Sequence, residues 1–419
     1  MDEMPTFDEL YARLVKAALH DATRQELEQL RKEDLDEHQL DCLLHPQNYP
    51  PVWRVGKCDC AEDEQAACAG KCLFHALYRD KSGSVVANKE LCVGCEDCAE
   101  RCRAKHLVAS RDAIPVLTAL HDEKAPVFAI VAPAFLGQFS PDVTPGKLRA
   151  AFKRLGFAGM VEVALFADIL TLKEAFEFDE TIHSPGDYLL TSCCCPIWIA
   201  MIRKVYHQLV PHIPGAVSPM IACGRTIKKL EPSAKVVFIG PCVAKKAEIR
   251  EPDLVGAVDY VLTFQEVQGI FRFAGIDPAE LEEDDRDHSS KAGRIYARTG
   301  GVSEAVEATV ARLHPGRDIS VRARQADGVP ACREMLNDLL AGNLDANFLE
   351  GMGCVGGCVG GPKAILNRED GKAHVEEYAG DAASQTPLDN PYVLELLHRL
   401  GFQTVESFVH DSDLFTRKF

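Results

Sequence analysis

The sequence predicts a three-part α/β protein: a short helical N-terminal extension over residues 1–50, a cysteine-dense module over 51–115 and a large α/β domain over 120–419. Three observations predict it. Apolar Leu10, Leu14, Val15 and Ala18 recur at helical spacing, and QELEQLRKEDLDEHQL continues in the same manner to about residue 48, where the prolines of HPQNYPPVW interrupt it. Eight cysteines then fall between residues 58 and 102. From about Lys124, apolar runs such as VFAIVAPA, FAGMVEVALFADIL, AKVVFIGPC and VDYVLTF alternate with helical stretches such as GKLRAAFKRL and EAVEATVARL. That is the texture of buried strands linked by helices. NPYVLELLHRLGFQ reads as a closing helix.

At 419 residues with 47% hydrophobic side chains, the chain can bury a large core. Its formal charge of −17, without a basic stripe interleaved with aromatics, excludes nucleic acid as the expected partner. No run reaches the roughly 18 apolar residues of a membrane span. MDEMPTFDELYARLVKAALHD is acidic and amphipathic, unlike a signal peptide, so the expectation is a cytoplasmic protein with no membrane partner. There, 17 cysteines point to metal ligation before disulfides.

Within the module, CVGCEDCAERC gives Cys92, Cys95, Cys98 and Cys102 the C-x2-C-x2-C-x3-C spacing of a bacterial-type [4Fe–4S] site. A tight loop lets three thiolates reach one cube, while the fourth, on the following helix, reaches a second. The companion CDCAEDEQAACAGKC is altered, with Cys58, Cys60, Cys68 and Cys72 spaced C-x1-C-x7-C-x3-C. By the crossover rule Cys92, Cys95, Cys98 and Cys72 hold one cluster, and Cys58, Cys60, Cys68 and Cys102 the other. One cluster beside a zinc ion or an empty cysteine knot stays open as an alternative, because zinc also accepts four thiolates. Arg103 replaces the proline that usually follows the fourth cysteine.

The other motif cysteines lie in TSCCCPIW (191–198), GPCVAKKAE (240–248) and LEGMGCVGGCVGG (349–361). These resemble, in order, the three signature motifs of the iron-only, or [FeFe], hydrogenases: T-S-C-C-P-x-W, M-P-C-x-x-K-x-x-E and E-x-M-x-C-x-x-G-C-x-x-G-G. The likeness runs from about Cys58 to the C-terminus and includes VAPA (131–134), ADILTLKEAFE (167–177), VDYVLT (258–263) and RTGGVSEA (298–305). The extra cysteine resembles the first motif of the subgroup called group B. The resemblance implies a two-lobed α/β catalytic domain behind a ferredoxin-like module with two [4Fe–4S] clusters.

It further implies a cofactor in which four cysteines hold a [4Fe–4S] cube, one of them bridging to a diiron unit with CO, cyanide and an azadithiolate. The matching residues are Cys195, Cys242, Cys354 and Cys358, with Cys358 as the bridge. Four soft ligands spread over three loops suit such a cube, and the glycines around Cys354 and Cys358 are expected to let backbone approach it closely. Lys245 matches the lysine that donates a charge-assisted hydrogen bond to cyanide. Glu248, three residues on, is placed to orient it, while Lys246 reads as ordinary charged helix face. Met352 matches the methionine beside the diiron unit, and Gly240 replaces the methionine of the second motif.

For proton movement the resemblance assigns the shuttle to Cys194, directly before the ligand Cys195, and a relay to Glu174 and Glu177, three apart on one helix face. The outer relay does not match: Pro214 stands at the serine position and Thr181 where arginine is expected. Three jobs are open to the leftover Cys193: tuning the pocket, protecting the open iron site, or serving as the shuttle itself. Cys42, Cys223 and Cys332 read as buried apolar residues. The implied activity is reversible H2 oxidation and proton reduction in an anaerobe, with electrons relayed to a ferredoxin-type carrier and the diiron unit installed by maturation enzymes. Arg101, Arg103, Lys105 and His106 form the expected docking patch. A hydrogen-sensing or low-turnover electron-relay protein of the same family is the alternative. The helical extension is expected either to brace the module or to dock a partner.

Overall fold

The computed structural model describes residues 5–56, 58, 60, 61, 68–122, 124–284, 286, 288–410 and 412–419. Three helices, not one, fill the N-terminal extension: Phe7–Leu19, Thr23–Leu30 and Glu37–Leu44. Asp21 turns the chain between the first two at φ 54°, a left-handed conformation that Asp adopts more readily than most residues. Asp36 starts the third by accepting from the N–H groups of His38 and Gln39. Thr6 and Glu9 form a capping box on the first. Its Leu10, Leu14, Val15 and Ala18 are buried, and it packs on helix Ala113–Leu120. Arg111 covers the rings of Phe7 and Tyr11 at 4.6 and 4.3 Å. The extension thereby braces the junction between the module and the large domain.

Strand β1 (Val52–Arg54) pairs antiparallel with β4 (Leu107–Ala109) and closes off the cysteine-dense stretch. Between them lie the hairpin β2–β3 (Leu77–Arg79, Val85–Ala87) and the short helix Asp97–Arg101. Strands this short bury little apolar surface. Their small core of Leu77, Val85 and Ala87 leans on Cys68, Cys72, Cys92 and Cys98 themselves.

The rest is α/β, built on two parallel sheets. In the first, β5 (Val127–Val131), β6 (Gly159–Glu162), β8 (Lys235–Gly240) and β9 (Tyr260–Thr263) lie in the order β6–β5–β8–β9. The second has the order β10–β11–β7, from β7 (Leu189–Leu190), β10 (Ala323–Asp327) and β11 (Phe348–Met352). Central β5 is an unbroken apolar run whose Ala129, Ile130 and Val131 are fully buried, as a parallel sheet covered on both faces requires. Of FAGMVEVALFADIL only GMVE is strand; from Ala164 the run continues as helix Ala164–Thr181. That helix is buried on nearly every side from Ala164 to Ala175, so it shows no polar stripe to betray its period.

Lys246, read from the sequence as charged helix face, is fully buried. Its Nζ lies 2.9 Å from Asp112 and 3.3 Å from Glu266, and Glu266 also accepts from the Asp112 N–H at 2.7 Å. Each buried charge has a partner, which is what makes their burial tolerable. The cluster fastens the chain leaving the module to helix Phe264–Ala274 of the large domain.

Candidate metal and catalytic centre

The three motifs leave the carboxyl ends of parallel strands, where open α/β sheets gather ligands. GPC ends β8, TSCCC follows β7, and GMGC ends β11. Because β7 and β11 are neighbours, with Leu190 opposite Leu349, the first and third motifs emerge side by side. Ser192 turns the first motif at φ 70°, and the Cys195 N–H donates to the Ser192 carbonyl at 2.9 Å just before helix Pro196–Val205. Buried Trp198 donates its indole N–H to the Thr191 carbonyl at 2.7 Å. A Cβ on Gly351 would lie 2.1 Å from the Trp198 ring, so the two motifs interlock only with glycine there. The Gly353 N–H donates to Cys195 Sγ at 3.2 Å.

Cys195, Cys242, Cys354 and Cys358 meet at this junction. Burial pushes the Cys242 thiol up to about 12, and the charges of Cys195 and Cys358 add to it. Cys358 is raised to about 11 by burial and then by Cys195. Cys354 is raised by burial and by the other three sulfurs. Loading iron here must therefore displace protons. The third-motif glycines serve the protein's own packing. A Cβ would meet Ile197 at 2.6 Å from Gly353, the Val355 carbonyl at 1.9 Å from Gly360, and Pro241 at 2.9 Å from Gly361. They let the loop fold on itself and against the second motif.

Lys245 is buried and donates to Glu248 at 2.5 Å. Burial favours its neutral form, but Glu248, then Cys242 and Cys194, outweigh burial and hold it as a cation. The space left by the missing second-motif methionine is taken by Phe238, whose ring would lie 2.7 Å from a Cβ on Gly240. Its centroid is 5.9 Å from Lys245 Nζ. Phe238 and Gly240 are two apart on β8 and share a face, a signal available in the sequence. Met352 is buried in the apolar cluster against which Cys194 and Cys195 pack, and its carbonyl accepts from buried Cys332 at 3.3 Å. Cys42 and Cys223 are also buried.

The adjacent thiols of the first motif part company. Cys194 is pushed far up by burial, and the charges acting on it are those of Cys358, Cys195, Lys245 and Glu174. Cys193 donates to the Pro214 carbonyl at 3.7 Å; burial raises it, with Glu174 and Glu177 next in effect. Burial also pushes the Glu174 carboxyl up to about 8, against the pull of its hydrogen bond from the Thr191 hydroxyl. Glu177 is raised by burial and pulled back by Lys173, whose Nζ lies 2.6 Å from its Oε1. Thr191 thus brings a hydroxyl to Glu174, which Pro214 cannot. Lys173 is a buried counter-ion that motif matching passes over, although its i,i+4 spacing to Glu177 was legible.

All eight module cysteines line one cavity of about 710 Å³ that reaches Gly353 and Cys354. Burial raises Cys95 to about 12, and the charges of Cys92 and Cys72 add to it. Cys98 is raised by burial, then chiefly by Cys92, Cys95 and Cys72, whereas Cys68 is raised by burial, Cys102 and Cys58. Among the described residues no group of three or more His, Cys, Asp or Glu stands close enough for a single metal ion. Sulfurs set around a space are the donor set of an iron–sulfur cube, and zinc accepts four thiolates as well. Gly94 presses this loop onto the second motif, where a Cβ would lie 3.0 Å from the Val243 carbonyl and Ala244. Glu96 pairs with Lys363 at 2.7 Å beside the third motif. Arg101, Arg103 and His106 also line the cavity, and Arg101 pairs with Asp97 at 2.7 Å. Lys105 is exposed outside the lining.

A family profile described as "Iron only hydrogenase large subunit, C-terminal domain" matches residues 125–362, the span that carries all three motifs. The chain belongs to the iron-only hydrogenase family. The periplasmic [Fe] hydrogenase large subunit of Nitratidesulfovibrio vulgaris is 29% identical over 68% of this chain and 88% of its own. Iron hydrogenase 1 of Clostridium pasteurianum is 27% identical over 58% of this chain, a match spanning half of that longer protein. The human nuclear prelamin A recognition factor is 25% identical over 67% of this chain and 77% of its own. An apo [FeFe]-hydrogenase structure from Chlamydomonas reinhardtii shares the fold, with TM-score 0.59 and 22% identity over 73% of this chain and 98% of that one. Among the described residues of this iron-only hydrogenase homologue, no helix is long and apolar enough to cross a membrane.

Proposed function

We propose that this chain is an [FeFe] hydrogenase interconverting H2 with protons and electrons. One observation carries the reading: half-buried Cys194 packs with Cys195 against the apolar cluster that holds Met352, and feels the charges of Cys358, Cys195, Lys245 and Glu174. When bound, the cofactor supplies the open iron site and the amine base at which the H–H bond is made or broken. Cys195, Cys242, Cys354 and Cys358 would hold its cube, and Cys358 would be the thiolate on the diiron side. Lys245, kept cationic by Glu248, binds cyanide, while Met352 and Phe238 wall the pocket. Cys194 carries the proton between pocket and relay, and Glu174 and Glu177 pass it on.

Cys58, Cys60, Cys68 and Cys102 would hold one [4Fe–4S] cluster and Cys72, Cys92, Cys95 and Cys98 another, which would supply the route for electrons. A ferredoxin-type carrier docks at the rim near Arg101 and Arg103. In this reading residues 51–115 are the electron-entry module, residues 120–419 the catalytic domain and residues 1–50 its brace. The protein is cytoplasmic, is matured by separate enzymes and belongs with group B on its triple cysteine.

Two variants of the matured protein test the assignment. Cys194→Ala is expected to lose at least about a hundredfold in turnover while keeping the infrared bands of bound CO and cyanide; Cys193→Ala is expected to keep most of its turnover. Near-normal hydrogen evolution by Cys194→Ala with a reduced dye would remove Cys194 from the route. The second reading, a hydrogen-sensing or low-turnover relay protein, is favoured by Lys173, which pins one oxygen of Glu177 and restrains the relay. Negligible turnover in a fully loaded wild type would select it.

A further inference from the structure

Glu174, Glu177 and Glu180 follow one another at three-residue spacing on helix Ala164–Thr181, climbing about 9 Å along its axis. Their exposure climbs with them. Glu174 is 2% exposed, the Glu177 side chain 12% and the Glu180 side chain 47%. The buried first member faces the first-motif loop through Thr191, and the last meets solvent. At that outer end His410, just beyond helix Val405–Val409, sets its Nε2 2.9 Å from Glu180 Oε2, with a side chain 51% exposed. The same imidazole acts on Glu177.

Glu177 sits at the middle of this ladder with its two oxygens in different circumstances. Oε1 is held by Lys173 Nζ at 2.6 Å. Oε2 is buried and has no hydrogen-bond partner among the described residues, so it is the oxygen left to take and release a proton. The charged and titratable groups around it are Lys173, Glu174 and Glu180 on its own helix, His410 on the C-terminal segment and Cys193 on the first-motif loop. Asp179, next along the helix, is occupied by His314 at 3.0 Å and by Arg317. Those side chains therefore serve another carboxylate.

We propose that His410, paired with Glu180, is the surface proton port of this chain, exchanging protons between Glu177 and bulk buffer. The inference rests on the hydrogenase reading and gives its relay an outlet where the sequence has Thr181 in place of an arginine. In the outward direction the Glu177 carboxyl gives up its proton through solvent at Glu180. The neutral imidazole of His410 takes it up and then releases it to buffer, with no electrons moved and each group restored. In the inward direction every transfer is reversed. Lys173 is a positioning residue: by holding Oε1 it fixes which oxygen takes part.

The test uses matured full-length protein evolving hydrogen from a reduced dye. In a dilute buffer without imidazole, His410→Ala is expected to run roughly tenfold slower than wild type, and added imidazole is expected to restore it. His410 is exposed, so the variant should fold. An unchanged rate, or a loss that imidazole does not repair, would overturn the port. A second measurement needs no cofactor. In the unmatured chain the infrared carboxyl band of Glu177, identified by its loss in Glu177→Gln, is titrated in wild type and His410→Ala. His410 pulls the Glu177 carboxyl down, so its removal is expected to move the midpoint to higher pH, and an unmoved midpoint would overturn the coupling. If loaded wild type does not turn over, the hydrogenase reading fails while this titration still decides the coupling of His410 to Glu177.

Discussion

Glu174 is the residue at which burial and proton chemistry meet. Burial raises its carboxyl from 4.5 to about 8, so across that interval the folded chain keeps a proton that the unfolded chain has released. The group costs no stability below about pH 4.5 and costs progressively more as pH rises towards 8. Glu174→Gln removes this dependence. Its Tm relative to wild type is expected to climb between pH 5 and 8, while turnover falls at every pH. A constant Tm difference across that range would show that the carboxyl is already ionised when buried. The sequence made the cysteines nameable by their spacing and Glu174 by its place in the family-like stretch ADILTLKEAFE. Their partners were not nameable in the same way. Thr191 meets Glu174 only after the chain has turned back between helix Ala164–Thr181 and strand β7, and the Phe238 ring replaces a missing side chain by filling its space, not by matching a motif.

At the scale of elements, periodicity separated helices from strands where one face is polar and failed where none is. Helix Ala164–Thr181 buries its first three turns on nearly all sides, so its apolar start read as a continuation of the strand before it. The N-terminal extension failed the other way. Its helical pattern runs on past Asp21, while a local left-handed turn and a new cap at Asp36 divide it. The strand ends hold the motif loops in register through Trp198 and Gly351, a contact that no spacing rule announces. Gly351→Ala puts a methyl group 2.1 Å from the Trp198 ring, and overpacking of this kind costs about 1–3 kcal/mol. The expected outcome is a lowered denaturation midpoint and reduced iron retention in the large domain, with the module's iron kept. Unchanged stability would mean that Trp198 has room to move and that the interlock does not set the site.

Over the whole molecule, three sets of sulfurs lie in succession, from Cys58, Cys68 and Cys102, through Cys72, Cys92, Cys95 and Cys98, to the four cysteines of the catalytic junction. The α/β class and the cysteine-dense module were legible because composition and alternation persist over long stretches. The seam between them was not, because it is made by pairs far apart in the chain: Glu96 with Lys363, Gly94 against Ala244, and Lys246 between Asp112 and Glu266. These contacts keep Cys95 near enough to Cys354 for their charges to interact, as the proposed electron entry through the module requires. The central claim is that this succession ends in a working hydrogen site. Its most direct test is the infrared spectrum of the fully matured wild-type chain, recorded alongside its hydrogen turnover. The account predicts bands of bound CO and cyanide together with sustained hydrogen evolution from a reduced dye; the absence of those bands after complete maturation would contradict it.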